Sequence, residues 1–461
     1  MLNRRTFTSA LAAVPLLAQQ RPAARRPNIV FIIADDLGYG DLSCYGQNQL
    51  STLNIDRLAK EGMRFTQAYS GATVCAPSRC SLMSGLHGGH ARIRGNRNPE
   101  IPLEAGDLTI AEALKKSGYR TGLFGKWGLG YTGTPGIPNK KGFDEFFGYH
   151  TQLQAHTYYP HQLYENGRDF TIAANWGTKA RQYAPDLIAD RALKFLDGDR
   201  DRPFFLYMPS TIPHANNELG RDTGDGMEIP DWGEFAKRDW PNPEKGFAAM
   251  MARLDRDVGR VLDKLRETGA DQNTVVIFSS DNGPHQEGGH SAKFFNSSGP
   301  LRGIKRDLYE GGIRVPFLIR WPGVAAPGST SEQPIAFWDM LPTLAEIGGG
   351  TVPRGLDGIS VTPAVRGQAL PEGRVFYWEF HEGGFNRAIR FGDWKAIQFG
   401  KDGPIELYNL KTDLAETTDV AAGHSDVIAT ARKHFAAARV ESPQFPLQAG
   451  AANSPNRARL P

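Results

Sequence analysis

The stretch Asn28–Ala34 reads NIVFIIA, and two aspartates, Asp35 and Asp36, follow it directly. A run this apolar, rich in Ile and Val, shows neither the 3.6-residue period of a surface helix nor the alternation of a half-buried strand. It suits a strand covered on both faces, as in a parallel sheet flanked by helices. Similar runs recur at Thr121–Phe124, Phe204–Met208, Val275–Ser279 and Val315–Ile319. Helical patterns fall between them: Leu53–Glu61 with Asn54 as its cap, Leu108–Ser117 after Asp107, and Phe247–Thr268, which stops at Gly269. Strands alternating with helices predict an α/β fold built on a large, mostly parallel sheet.

From about Val375 the texture changes. Short strand-like pieces at Val375–Phe380, Arg387–Arg390, Trp394–Gln398 and Glu406–Asn409 are separated by turn residues, and a last helix is expected over Asp426–Arg439. The expected organisation is therefore an export signal and linker over 1–26, a catalytic domain over 27–370, a smaller α+β subdomain with an antiparallel sheet over 371–445, and a loose tail over 446–461.

Composition narrows the function. The chain has 461 residues, 40% hydrophobic and 22% charged, as in a water-soluble globular protein. Its net charge of +3 is too near zero to suggest a nucleic-acid partner. No stretch approaches the ~20 apolar residues of a membrane span. Arg4-Arg5 followed by the small, apolar Ser9–Ala18 reads as an export signal, and Asn3-Arg-Arg-Thr-Phe7 resembles the twin-arginine type. The protein is thus expected to be periplasmic or extracellular. Three cysteines, Cys44, Cys75 and Cys80, are too few for a disulfide scaffold. Whether Cys44 and Cys80 pair is left open by the sequence.

Ligands of open α/β sheets bind at the carboxyl ends of the strands. Those ends here offer Asp35 and Asp36, then Lys126, then His214 beyond Phe204–Met208, then Asp281 and Asn282. A lone aspartate after a strand is usually a turn or cap residue; several strand ends delivering polar groups to one edge mark a site. Asp35, Asp36, Asp281 and Asn282 are hard oxygen donors without imidazole or thiolate among them, which suits Ca²⁺ or Mg²⁺.

Into this frame falls Cys75-Ala-Pro-Ser-Arg79, which resembles the Cys-x-Pro-x-Arg signature of the type I, formylglycine-dependent sulfatases of the alkaline phosphatase superfamily. Supporting matches follow in order: Asn28–Asp36, Gly125-Lys-Trp127, Ile212-Pro-His214, Ser280-Asp-Asn-Gly-Pro284, and Gly299–Lys305 with Tyr309-Glu-Gly-Gly312. The resemblance implies that a maturation enzyme oxidises Cys75 to formylglycine, whose hydrate attacks sulfur and then releases sulfate through its second hydroxyl. It implies Ca²⁺ held by Asp35, Asp36, Asp281, Asn282 and residue 75. Arg79 would orient the nucleophile, Lys126 and Lys305 would hold sulfate oxygens, and His214 would protonate the leaving oxygen.

The chain departs from the family at one point. Many members read Gly-Lys-Trp-His-Leu-Gly; this one reads Gly125-Lys-Trp-Gly-Leu-Gly130, so a histidine that assists the nucleophile is Gly128 here. His156 is the candidate to replace it, and His285, with Gln286, Glu287 and His290 just after the metal pair, is a candidate contact to substrate hydroxyls. The expected substrate is a sulfated carbohydrate, of galactose or N-acetylgalactosamine 4-sulfate type, cleaved from a chain end. The alternatives are a phosphate or phosphonate esterase of the same superfamily and a catalytically silent carbohydrate-binding protein.

Overall fold

The computed structural model describes residues 25–199 and 201–447; the export signal and most of the expected loose tail lie outside them. Eleven strands form one large sheet: β1 (Asn28–Ala34), β2 (Met63–Tyr69), β3 (Arg120–Lys126), β4 (Glu145–Tyr149), β5 (Gln162–Glu165), β6 (Arg168–Thr171), β7 (Phe204–Pro209), β8 (Thr274–Ser280), β9 (Arg314–Arg320), β10 (Ser329–Ser331) and β11 (Ile335–Ala336). Their order is β10-β2-β9-β8-β1-β7-β3-β4-β5-β6, with β11 paired to β2. β8, β1, β7, β3 and β4 run parallel to one another, while β9 and the β5–β6 hairpin are antiparallel.

β1 shows why its sequence has no polar period. Val30, Ile32 and Ala34 point into one core cluster, and Ile29, Phe31 and Ile33 into another on the opposite face. The first face is covered by α1 (Leu53–Glu61), α4 (Ala184–Leu196) and α6 (Asn242–Glu267); the second by α2 (Cys75–Ser84) and α3 (Ile110–Lys116). Each strand residue therefore loses its water on one side or the other, and burial at ~25 cal/mol per Å² rewards an apolar choice at every position. A short helix, α5 (Asn217–Thr223), lies beyond β7.

The second sheet is an antiparallel meander of β12 (Val375–Phe380), β13 (Asn386–Phe391), β14 (Trp394–Phe399) and β15 (Ile405–Asn409). One face packs on Tyr69, Tyr309 and Trp338 of the large domain, and the other on the C-terminal helix Ser425–Ala437.

Several boundaries shift from the sequence reading, each for a local reason. α3 begins at Ile110 because Thr109, not Asp107, caps it: Thr109 Oγ1 accepts from Glu112 N at 3.2 Å while the Glu112 carboxylate accepts from Thr109 N at 2.9 Å. Asp107 instead pairs with Arg92. Asn54 is not the cap of α1; the cap position is Thr52, and the Asn54 side chain donates to Asp255 at 2.9 Å. β2 was not anticipated, since Arg64, Thr66 and Gln67 interrupt its apolar residues and its pairing with β9 shifts register between Phe65 and Ala68. Cys44, Cys75 and Cys80 are all free.

Candidate active site

The carboxyl ends of β1, β8, β3 and β7 and the start of α2 converge on one buried cluster. Asp35 and Asp36 leave β1 in a tight turn that places Asp36 at φ 64°. Asp281 continues the β8 ladder by donating its N–H to Ala34 O at 3.1 Å, which sets its side chain against the same turn; Asp36 N donates to Asp281 Oδ1 at 3.0 Å. Cys75 is the first residue of α2, whose dipole favours an anion at this end. Its Sγ lies 3.4 Å from Asp35 Oδ1 and 3.9 Å from Asp36 Oδ1.

Three cations face these carboxylates. Arg79, one turn into α2, holds Asp281 Oδ2 through Nε at 3.0 Å and Nη2 at 2.8 Å, and its Nη1 donates to the Lys126 carbonyl at 2.8 Å. Lys126 Nζ is 2.7 Å from Asp35 Oδ2. Lys305 Nζ is 2.7 Å from Asp36 Oδ2, 2.9 Å from Glu287 Oε2 and 3.2 Å from His214 Nε2. All are buried. Burial alone would push the Asp35 carboxyl up, but pairing with Lys126 and Arg79 outweighs it and holds the group well below the usual carboxylate range. Asp281, buried beside the Asp35 charge, is pushed up to about 7. Burial raises the Cys75 thiol well above its ordinary value.

His214 is arranged differently from the sequence expectation. Its Nδ1 donates to the Ala215 carbonyl at 2.6 Å, which leaves the Nε2 lone pair facing the Lys305 ammonium. Burial, then the Lys305 charge, lower His214 to about 3. The proton on this side of the site therefore sits on Lys305, with His214 as its acceptor.

His156 lines the cleft, with its ring stacked on His214 at 4.8 Å between centroids and its Nδ1 3.1 Å from Glu218 Oε2. His285 does not reach the cleft. It is fully buried, its Nε2 donates to the Pro213 carbonyl at 3.0 Å, and its Nδ1 accepts from Glu287 N. Both ring nitrogens are thus taken by backbone, and the expectation that it contacts substrate is corrected.

The space above Gly128 is filled by a residue the sequence did not single out. Gly128 adopts φ 73°, and a Cβ there would lie 1.8 Å from Gln152 Nε2. A histidine at 128 would strain the backbone and would require the Gln152 amide to move aside. Arg306 was also missed, and Glu287, expected among the contacts to substrate hydroxyls, instead holds Lys305 and Arg306. Arg306, at φ 78°, bridges Glu287 and Glu382, bringing the loop before β13 to the mouth of the site. Nothing in the local sequence pattern separates Arg306 from an ordinary surface charge.

The cleft over the cluster has a volume of about 180 Å³; Cys75, His156, His214 and Lys305 all line it. With this geometry in place, comparison with known proteins is decisive. The description "Sulfatase" matches residues 27–350. The chain belongs to the sulfatase family. A second match, "N-sulphoglucosamine sulphohydrolase, C-terminal", covers residues 304–440 of this sulfatase. It is 36% identical to human (Homo sapiens) arylsulfatase A over 83% of this chain and 77% of that protein. It is 30% identical to mouse (Mus musculus) steryl-sulfatase over 84% and 73%. Among solved structures it resembles Ps i-CgsB in complex with k-i-k-neocarrahexaose, with a TM-score of 0.79, 28% identity, and coverage of 92% and 95% of the two chains. It is an enzyme of sulfate ester hydrolysis.

Proposed function

We propose that this sulfatase removes sulfate from a carbohydrate, using a formylglycine made from Cys75 and a Ca²⁺ ion. The observation that carries the reading is the placement of Cys75. A working cysteine needs a lowered pKa and some exposure. This one is 3% exposed, with two carboxylates beside its sulfur. As a thiol it is inert; as an aldehyde hydrate at the same position it needs no thiolate.

The residues fit a hard cation. Asp35 and Asp36 bring carboxylate oxygens together with Cys75 and His214, Asp281 Oδ1 holds the Asp36 N–H, and the Asn282 amide oxygen is buried with no hydrogen-bond partner. When bound, calcium supplies positive charge that polarises sulfate oxygens and eases proton loss from the nucleophile, while formylglycine supplies the attacking hydroxyl. The remaining work falls to side chains. Arg79 fixes Asp281 and, through the Lys126 carbonyl, the end of β3. Lys126 and Lys305 hold the sulfate oxygens as fixed charges that need no reorganisation during reaction. The Lys305 ammonium and His214 Nε2 form the proton-carrying pair on the leaving-oxygen side. His156, stacked on His214, keeps that ring in place.

The carbohydrate assignment draws on the likeness to a structure holding a neocarrahexaose. A 180 Å³ cleft is below the usual ~300 Å³ of small-molecule sites, which favours one terminal ring over an internal one. Galactose and N-acetylgalactosamine 4-sulfates are the first substrates to try. An export signal over 1–26 and a cytoplasmic maturation enzyme as partner complete the proposal; among the described residues no helix is long and apolar enough to cross a membrane. Parallel kinetics on an aryl sulfate, an aryl phosphate and these sugar sulfates test it. Faster turnover of the sugar sulfates than of aryl phosphate is expected, and the reverse order would sink the proposal.

A further inference from the structure

The cleft has a wall that sulfate chemistry does not use. Glu100 Oε2, Gln152 Oε1 and Asn217 Oδ1 are buried acceptors without a hydrogen-bond partner. All three residues line the cleft that holds Cys75. The other half of two of these groups is fixed. Glu100 Oε1 accepts the N–H of Gln152 at 2.6 Å and of Leu153 at 3.4 Å. Gln152 Nε2 is directed at the Gly128 carbonyl, 3.5 Å away, and only a donor can face a carbonyl, so Oε1 is the free atom. Asn217 is the first residue of α5, which also carries Glu218, the partner of His156. A buried acceptor left unmet is destabilising unless something donates to it.

The chemistry of the three atoms defines what does. None is a donor, and one belongs to a carboxylate. A sulfate, which only accepts and is anionic, is repelled by this wall. An aryl leaving group has no hydroxyl to offer it. A saccharide ring offers several. Leu153, 57% exposed beside the same wall, gives an apolar edge for the C–H face of such a ring.

We propose that Glu100, Gln152 and Asn217 form the subsite that reads the hydroxyls of the hexose carrying the sulfate. This rests on the sulfatase reading and adds the residues that select its substrate. It also gives Gln152 a role: the residue that closes the space over Gly128 presents its carbonyl to the sugar.

The test uses the matured, calcium-loaded enzyme and compares kcat/KM on monosulfated galactose or N-acetylgalactosamine with kcat/KM on 4-nitrophenyl sulfate. Gln152→Ala and Asn217→Ala should each lower the sugar-to-aryl ratio about tenfold, the worth of one hydrogen bond to an unmet partner, and the double variant about a hundredfold. Ratios within twofold of the parent in all three would overturn the subsite. A measurement without variants guards against folding defects: unsulfated galactose should compete with 4-nitrophenyl sulfate on the parent enzyme, and cyclohexanol, the same size without the hydroxyl set, should not. Equal competition by both, or none by galactose, would equally overturn it. A parent inactive on both esters would refute the sulfatase reading and the subsite with it; an active parent with unmoved ratios would refute the subsite alone.

Discussion

Two of the clusters of buried charge among the described residues differ in what surrounds them. At the strand ends, Asp35, Asp36, Asp281 and Glu287 meet Arg79, Lys126 and Lys305 around Cys75 and open onto a cleft. Between the two sheets, Lys395 Nζ reaches Glu310 Oε1 and Glu416 Oε1, each at 2.9 Å, while Arg314 Nε and Tyr69 Oη both lie 2.7 Å from Glu310 Oε2. Arg390 joins through Tyr69. Here β14 is bolted to the large domain and every one of the charges is buried. The chemistry of the pairs is the same. What separates a site from a structural tie is access, an unpaired Asn282 oxygen, and the nucleophile position at a helix N-terminus.

That contrast can be broken from either side. The largest effect is expected for Cys75→Ala, which should lower kcat/KM on 4-nitrophenyl sulfate at least ~10⁴-fold, as loss of a covalent nucleophile does, with little change in thermal midpoint. Comparable stability and activity losses in this variant would make the first cluster a structural one. Glu310→Ala should do the opposite. Leaving Lys395 and Arg314 without their shared carboxylate costs ~3–5 kcal/mol, so the thermal midpoint should fall sharply while kcat/KM of the folded fraction stays within about twofold.

Smaller effects sharpen the contrast. Lys126→Ala removes one fixed charge from the sulfate position and should cost ~10²–10³ in kcat. Chelation should lower the thermal midpoint of the parent, by ~2.7 kcal/mol of stability if calcium stood at 100 times its Kd. Asp281→Asn should blunt that response; an equal response would move the cation elsewhere. The mildest prediction is acid sensitivity away from both clusters. His150, stacked between Phe146 and Tyr164, is lowered by burial from 6.5 to about 4. A folded state that resists protonation is stable above pH 6.5 and loses that contribution as pH falls through about 4. His150→Phe should flatten the stability profile across that window, measured by thermal melts at stepped pH.

Sequence carried much of this arrangement because the physics was local. The five fully buried strands announce themselves as apolar runs, and the residues just past β1, β3 and β8 are placed by strand direction alone. Cys75 and Arg79, four apart on α2, needed only the helix period to share a face. What was not legible is what depends on contacts between distant loops. Gln152 over Gly128 and Arg306 against Glu382 are ordinary polar residues until the chain brings them together. His285 was misjudged for the converse reason: its position after Asn282 suggests the cleft, but the turn buries its ring behind Pro213.

The central claim is that Cys75 is the precursor of the nucleophile, and mass spectrometry of its peptide tests it most directly. In protein that turns over 4-nitrophenyl sulfate, the tryptic peptide containing Cys75 should be lighter by about 18 Da, the change from thiol to aldehyde, in proportion to specific activity. A fully active preparation in which that peptide carries only the unmodified thiol would contradict the account.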